Sequence, residues 1–285
     1  IRLHETSPDL CDLPWEYLYN PSIGRFLALS TETPVVRYLD LPHPPQVLSV
    51  TPPLKMLVMV SRPHNLEALD SEAEWTRLHK ALEPLVQQGL LTVERVAPAT
   101  LSALQHAQRR GDYHIFHFIG HGDYDERAED GVLILEDDNG NPHPWTGKDL
   151  GAVLDWRHLR LMVLNACEGA RTSRSDPFAG VARSLVQQGL TAVIAMQFEI
   201  TDQAAITFSQ EFYKAIADRY PVDAALGEAR KAIFAQGNDI EWGTPVLFTS
   251  LPDGQIFDFS QALPPTGAFE PVLTKPVPVE PQPSL

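Results

Sequence analysis

LRLMVLNACEGA, residues 159 to 170, is the stretch from which the fold is read. A mostly apolar run, Leu159 to Leu164, breaks abruptly into Asn165-Ala166-Cys167-Glu168-Gly169. A run this short, rich in Leu, Met and Val and closed by a turn, predicts a strand buried on both faces, as in a parallel sheet. Ligands and chemistry in such sheets gather at the carboxyl ends of strands, which is where Cys167 stands. A second stretch answers it. In YHIFHFIGHGDYD, residues 113 to 125, the apolar strand Ile115 to Ile119 ends in Gly120-His121-Gly122. Two strand ends would then carry a thiol and an imidazole, with glycine beside each to let a substrate approach.

Taken singly, a cysteine is more often a small buried hydrophobe and a histidine a satisfied polar group. Their pairing changes the reading. His121 precedes Cys167 by 46 residues, close to the roughly 50 of the caspase pattern, whose cysteine sits in Q-A-C-x-G. Here the phrase is Asn165-Ala166-Cys167-Glu168-Gly169, with Asn in place of Gln. The chain as a whole resembles the CHAT domain family, caspase-like peptidases related to separases and often found beside tetratricopeptide repeats. The phrases that carry the likeness are LPWEYLY from Leu13, HFIGHG from His117, GVLILEDDNG from Gly131, VLNACEGA from Val163, the long run from Asp176 to Ala205, and WGTPVLF from Trp242. They occur in family order over about residues 10 to 258.

The resemblance implies a cysteine endopeptidase with Cys167 as nucleophile and His121 as its acid and base, working as a dyad. It implies an oxyanion hole from the backbone N–H groups of Gly122 and Cys167. It also implies a primary pocket walled by Asn165, the end of the first strand near Arg62, and the segment from Gln197 to Asp202. Relatives that select basic residues carry Asp where Asn165 stands, so these positions point to a neutral or apolar preference. Glu168 stands where caspases carry Arg; strand alternation points its carboxylate away from the thiolate. The implied role is an effector protease of a bacterial signalling or defence system, acting on a protein substrate and switched on by a linked sensor domain or partner protein. Two other classes remain open: an inactive caspase-like scaffold for protein interaction, and another thiol acyl-transfer enzyme on the same pair.

Composition bounds the alternatives. With 37 acidic against 22 basic residues the net charge is −15. Anionic partners such as nucleic-acid backbone or membrane surface are therefore disfavoured as direct ligands. Two cysteines, Cys11 and Cys167, make no disulfide framework, so a reducing cytoplasm is expected. No signal peptide opens the chain and no apolar run approaches the length of a membrane span. Starting at Ile1 without Met, the chain reads as a mature fragment. C-x-x-C, H-E-x-x-H and Walker loops do not occur in the sequence, so no metal or nucleotide cofactor is expected. His117 and His121, about 13 Å apart along a strand, could not share an ion. Asp137 and Asp138 beside Asn139-Gly140 read as a solvated turn, and Cys11 as structural.

The remaining pattern predicts an α/β fold: a predominantly parallel six-stranded sheet sandwiched by helices, preceded by an N-terminal β-hairpin subdomain. Residues 1 to 50 would be that flap, its hairpin joining RFLALST to PVVRYLD around Glu32-Thr33-Pro34. Residues 54 to 260 would be the peptidase domain. Its expected strands start near Lys55, Leu91, Ile115, Leu159, Ala192 and Pro245. Gly131 to Asp137 adds a strand with a turn at Asp138-Asn139-Gly140. Helix starts are signalled by Ser71 with Glu74, Thr100, Thr146 with Asp149, Asp176-Pro177 and Asp202, and Gly89 is a stop. The proline-rich residues 261 to 285 read as a linker or tail. The segments 123 to 130 and 169 to 176, polar and next to the dyad, read as movable active-site loops.

Overall fold

A computed structural model describes residues 13–43, 45–66, 71–128, 130–171 and 177–260, with Ser71, residues 166–171 and Pro177 described by backbone alone. Cys11, the Asp176 cap, the segment 172 to 176 and the tail from 261 lie outside the described residues, as do the thiol of Cys167 and the carboxylate of Glu168.

Among the described residues the main sheet has nine strands: β1 (Arg37–Tyr38), β2 (Leu54–Val60), β3 (Leu91–Val96), β4 (Ile115–Asp125), β5 (Asp130–Glu136), β6 (Pro142–Thr146), β7 (Leu161–Arg171), β8 (Ala192–Met196) and β9 (Pro245–Thr249). Their spatial order is β1-β9-β8-β7-β4-β2-β3, with β5 and then β6 branching from β4. The six strands expected from the sequence are contiguous in this order. All pair in parallel except β9, which runs antiparallel to β8.

Among the described residues six helices cover the sheet: α1 (Ser71–Gln87), α2 (Leu101–Arg110), α3 (Gly147–Val153), α4 (Pro177–Gln187), α5 (Asp202–Ala217) and α6 (Val222–Ala235). The period-2 alternation of β7 divides them into two layers. Leu161 and Val163 join the core under α1, α5 and α6; Met162 and Leu164 join the core under α2, α3 and α4. All four are fully buried, each contributing about 1.5 to 3 kcal/mol of burial. That two-sided burial is why the strand is continuously apolar rather than alternating. The turns follow the sequence signals: Thr100 Oγ accepts from Ala103 N and Thr146 Oγ from Asp149 N, and Gly89 ends α1 with a positive φ of 69°.

Four expectations are corrected. The hairpin around Glu32-Thr33-Pro34 does not form. Arg25–Phe26 pairs instead with Tyr19–Asn20, residues 27 to 29 make a 3₁₀ turn, and Arg37–Tyr38 adds to the main sheet beside β9. Buried Val35 and Leu39 favour the large core over a free-standing ribbon. The cap of α5 is Thr201, whose Oγ accepts from Ala204 N; Asp202 is the first helical residue. β4 does not end at Ile119 but runs on through Gly120-His121-Gly122 to Asp125, because its second half finds an antiparallel partner in β5. Consequently residues 123 to 130 are mostly hairpin rather than loop. Asp125 Oδ1 accepts from the N–H groups of Arg127 and Ala128, and Asp130 Oδ2 accepts from Ser184 Oγ of α4.

Candidate active site

The first parallel strand, β2, is followed by β3 on one side and β4 on the other, so the connections leave in opposite directions at the boundary between β2 and β4. A crevice opens outside the carboxyl ends of the strands at such a switch point. β4 carries His121 into it. Parallel pairing along β4 ends at Ile119 opposite Val60 and at Gly120 opposite Ala166, and antiparallel pairing resumes at Gly122 opposite Leu133. His121 therefore sits at the change of partner.

The register places Cys167 directly after the Ala166–Gly120 pair, as His121 is on the neighbouring strand. Adjacent strands lie roughly 4.8 Å apart. Pairing resumes only at Arg171 opposite Gly122, so residues 167 to 170 stand against the single His121. Such a bulge bends a strand and frees it from the ladder, a device common beside active sites. The backbone register thus brings Cys167 and His121 to neighbouring positions on adjacent strands.

His121 is only 4% exposed and borders a groove of about 550 Å³, whose wall includes Leu66, Tyr124, Arg127, Val132 and Pro144. Gly122 has its own reason to lack a side chain: a Cβ there would come within 2.8 Å of the Phe178 ring on α4. The fully buried Phe178 thus presses against the backbone one residue beyond the imidazole.

The four expected pocket residues part company. Arg62 is exposed after β2, its N–H donating to Glu136 Oε1. Gln197 is buried and committed to structure, donating to Gly243 O at 2.8 Å and Glu16 Oε2 at 3.2 Å. Asn165 and Asp202 do come together. They line a narrow recess between α1, α5 and the middle of β4 and β7, with Glu74, Arg77, His117 and Ser209. Asp202 pairs with Arg77 at 2.9 Å, and Arg77 also bonds Glu74 Oε1 at 2.7 Å. The sequence does not single out Glu74 and Arg77, because Glu74, three after Ser71, fits a capping signal. The fold instead turns it toward Asp202. Burial, and then the Asp202 charge, hold its carboxyl above the usual range.

His117, the other histidine of β4, is a core residue: its Nδ1 lies 2.7 Å from the Tyr213 hydroxyl. Burial pushes its pKa down to about 3. His114, buried near Lys55, is pushed down to about 4 by burial and then by that ammonium. Unfolded histidines take a proton below about pH 6.5 while these stay neutral, so stability falls as pH falls from 6.5 towards 4, each by up to about 1.4 kcal/mol per unit. Glu74, taking a proton early in the fold, offsets a part. Urea denaturation is expected to give about 2 to 4 kcal/mol less stability at pH 5 than at pH 7; equal values would show that the two rings are not held neutral.

With this geometry in place, the CHAT domain family profile matches residues 4–253. The chain belongs to the CHAT family. Structural likeness extends to the Arg-specific cysteine proteinase gingipain R, with a TM-score of 0.48 at 12% identity, covering 75% of this chain and 50% of that one. Separase from its Saccharomyces cerevisiae complex with securin gives 0.48 at 14%, covering 84% and 15%. The Drosophila initiator caspase Dronc gives 0.36 at 15%, covering 79% and 99%. The CHAT chain thus spans half of the gingipain and a small part of the separase. No curated protein matches its sequence. Among the described residues no helix is long and apolar enough to cross a membrane, and no three metal-ligating side chains cluster.

Proposed function

We propose that this CHAT domain is a cysteine endopeptidase whose dyad is Cys167 and His121. The observation that carries the reading is the register: the two residues follow a paired Ala166 and Gly120 on neighbouring central strands, beside a groove at the switch point. The thiolate is the nucleophile. Its sulfur attacks the peptide carbonyl carbon and the carbonyl electrons move onto oxygen. The backbone N–H groups of Gly122 and Cys167 receive that oxyanion, each such donor being worth about 3 to 4 kcal/mol in the transition state. As the C–N bond breaks, His121 gives the leaving amine the proton it took from the thiol. Water, deprotonated by the same imidazole, then hydrolyses the thioester.

The substrate is a protein segment laid along the His121 groove. The role is that of an effector protease in a bacterial signalling or defence system, held in check until a sensor domain or partner engages the dyad-side loops. The bulge at 167 to 170 supports this regulation, because a freed strand end can be re-ordered from outside.

The test is a peptidyl acyloxymethyl ketone together with a proteome-derived peptide library. The purified protein is expected to take up one label on Cys167 and to cut the library weakly, and a partner to raise the rate. Absence of both label and cleavage in the presence of its partner would leave a scaffold as the better reading. High cleavage indifferent to every partner would remove the regulatory part alone.

A further inference from the structure

The recess beside Asn165 holds more polar chemistry than it satisfies. Asn165 is 5% exposed and its Oδ1 has no hydrogen-bond partner; His117 is buried and its Nε2 has none either. Both atoms belong to side chains that line the same recess. Leaving such groups unpaired is costly, so a native protein keeps them for a ligand or water. Toward solvent the recess is charged. Glu74 and Asp202 contribute two carboxylates against the single guanidinium of Arg77, their side chains being 12%, 59% and 36% exposed. Two carboxyl groups thus share one guanidinium. The free volume of the recess is only about 10 Å³, room for about one water, and Arg77, one of its lining residues, bridges the two carboxylates. Arg77 is long, partly exposed and placed on a helix surface, and can swing into solvent without breaking the core.

Resting on the peptidase reading above, we propose that this recess receives the substrate side chain preceding the scissile bond and that it takes a cation, arginine or lysine. Asn165 lies two residues before Cys167 on β7, roughly 6.6 Å along the strand, the distance at which a side chain next to the reacting carbonyl would enter. The incoming charge replaces Arg77 between Glu74 and Asp202, and its donors reach Asn165 Oδ1. His117 Nε2 adds an acceptor when Nδ1–H donates to Tyr213 Oη. Arg77 is then an internal stand-in for the substrate, keeping the subsite shut until one arrives. This cation preference differs from the neutral preference read from Asn165, Gln197, Arg62 and Asp202, because the fold sets a second carboxylate, Glu74, beside the Asp202–Arg77 pair.

Two readouts test this. The first compares kcat/KM for peptides identical except for arginine, norleucine or glutamate before the cut. The wild type is expected to favour arginine over norleucine by at least about tenfold, and Glu74→Gln or Asp202→Asn to erase most of that ratio. The second needs no turnover: agmatine, a free guanidinium amine, is titrated by calorimetry with the His117 ring followed by NMR. Binding is expected in the wild type, weakened about tenfold by Glu74→Gln and tightened by Arg77→Ala. Glu74→Gln is isosteric, and an unchanged melting temperature separates lost binding from lost folding. Equal cleavage after norleucine and arginine, or agmatine binding indifferent to Glu74, overturns the proposal. Agmatine binding that depends on Glu74 with no cleavage of any peptide upholds the cation subsite and defeats the peptidase reading instead.

Discussion

Cys167→Ala is expected to abolish peptide cleavage while leaving the fold in place. On the proposed mechanism the bond-forming atom is the sulfur, so the loss in kcat/KM should reach about 10⁴-fold or more. Stability should hardly move, since the stabilising burial of β7 lies earlier, in Leu161 to Leu164. His121→Ala should fall nearly as far, and the double variant little further, because groups that act as a unit are not additive. Both single variants and the double one should be assayed with an activated partner present, alongside melting curves. Substantial cleavage by folded Cys167→Ala would end the dyad mechanism. A double variant that multiplied the two losses would show the residues acting independently, which the shared register of β4 and β7 argues against.

The parts of this fold legible in the sequence are those governed by local rules. β7 is recognisable because both faces are buried, so its apolar run needs no partner to be read. The β5–β6 hairpin follows from Asp138-Asn139-Gly140, with Gly140 at a φ of 77°. Thr100 and Thr146 cap their helices through oxygens three residues from their targets. What could not be read is settled by contacts distant in sequence. Arg37–Tyr38 has the alternation of a hairpin arm, and only its neighbour β9, more than two hundred residues on, makes it a sheet edge. His121 stands out in the sequence as a candidate by its glycine-flanked strand, whereas Glu74 and Arg77 do not. An acidic residue in a first helical turn is common for capping and dipole reasons, and nothing nearby signals that Asp202 will meet it. Gln197 was misplaced for the converse reason. Its position after β8 fits a pocket wall, but its amide is drawn into a network whose other member, Glu16, is 181 residues away.

That network supports the second large effect: Glu16→Ala is expected to destabilise the protein by about 3 to 5 kcal/mol. Glu16 belongs to the LPWEYLY phrase and is 0% exposed. Its Oε2 receives Arg37 Nη2 at 3.0 Å and Gln197 Nε2 at 3.2 Å. Arg230 on α6 is also fully buried, donates to Pro245 O, and feels the Glu16 charge. Burial pulls the Arg230 guanidinium down to about 10, with Glu16 opposing the shift. One carboxylate therefore compensates two buried guanidinium groups, and removing it strands both where water cannot reach them. For a chain of this size the loss corresponds to a fall in Tm of roughly 10 °C. Glu16→Gln keeps the shape and most acceptor geometry, so it should cost less than alanine but more than a surface change. Arg37→Met, which removes one of the two cations, should then cost less in the Glu16→Ala background than alone, since the stranded charge is gone. A melting temperature that shifts by under a degree or two in Glu16→Ala would mean that the first segment is held by its aromatic packing, Tyr17 and Phe26 against Trp242, and not by its buried charge.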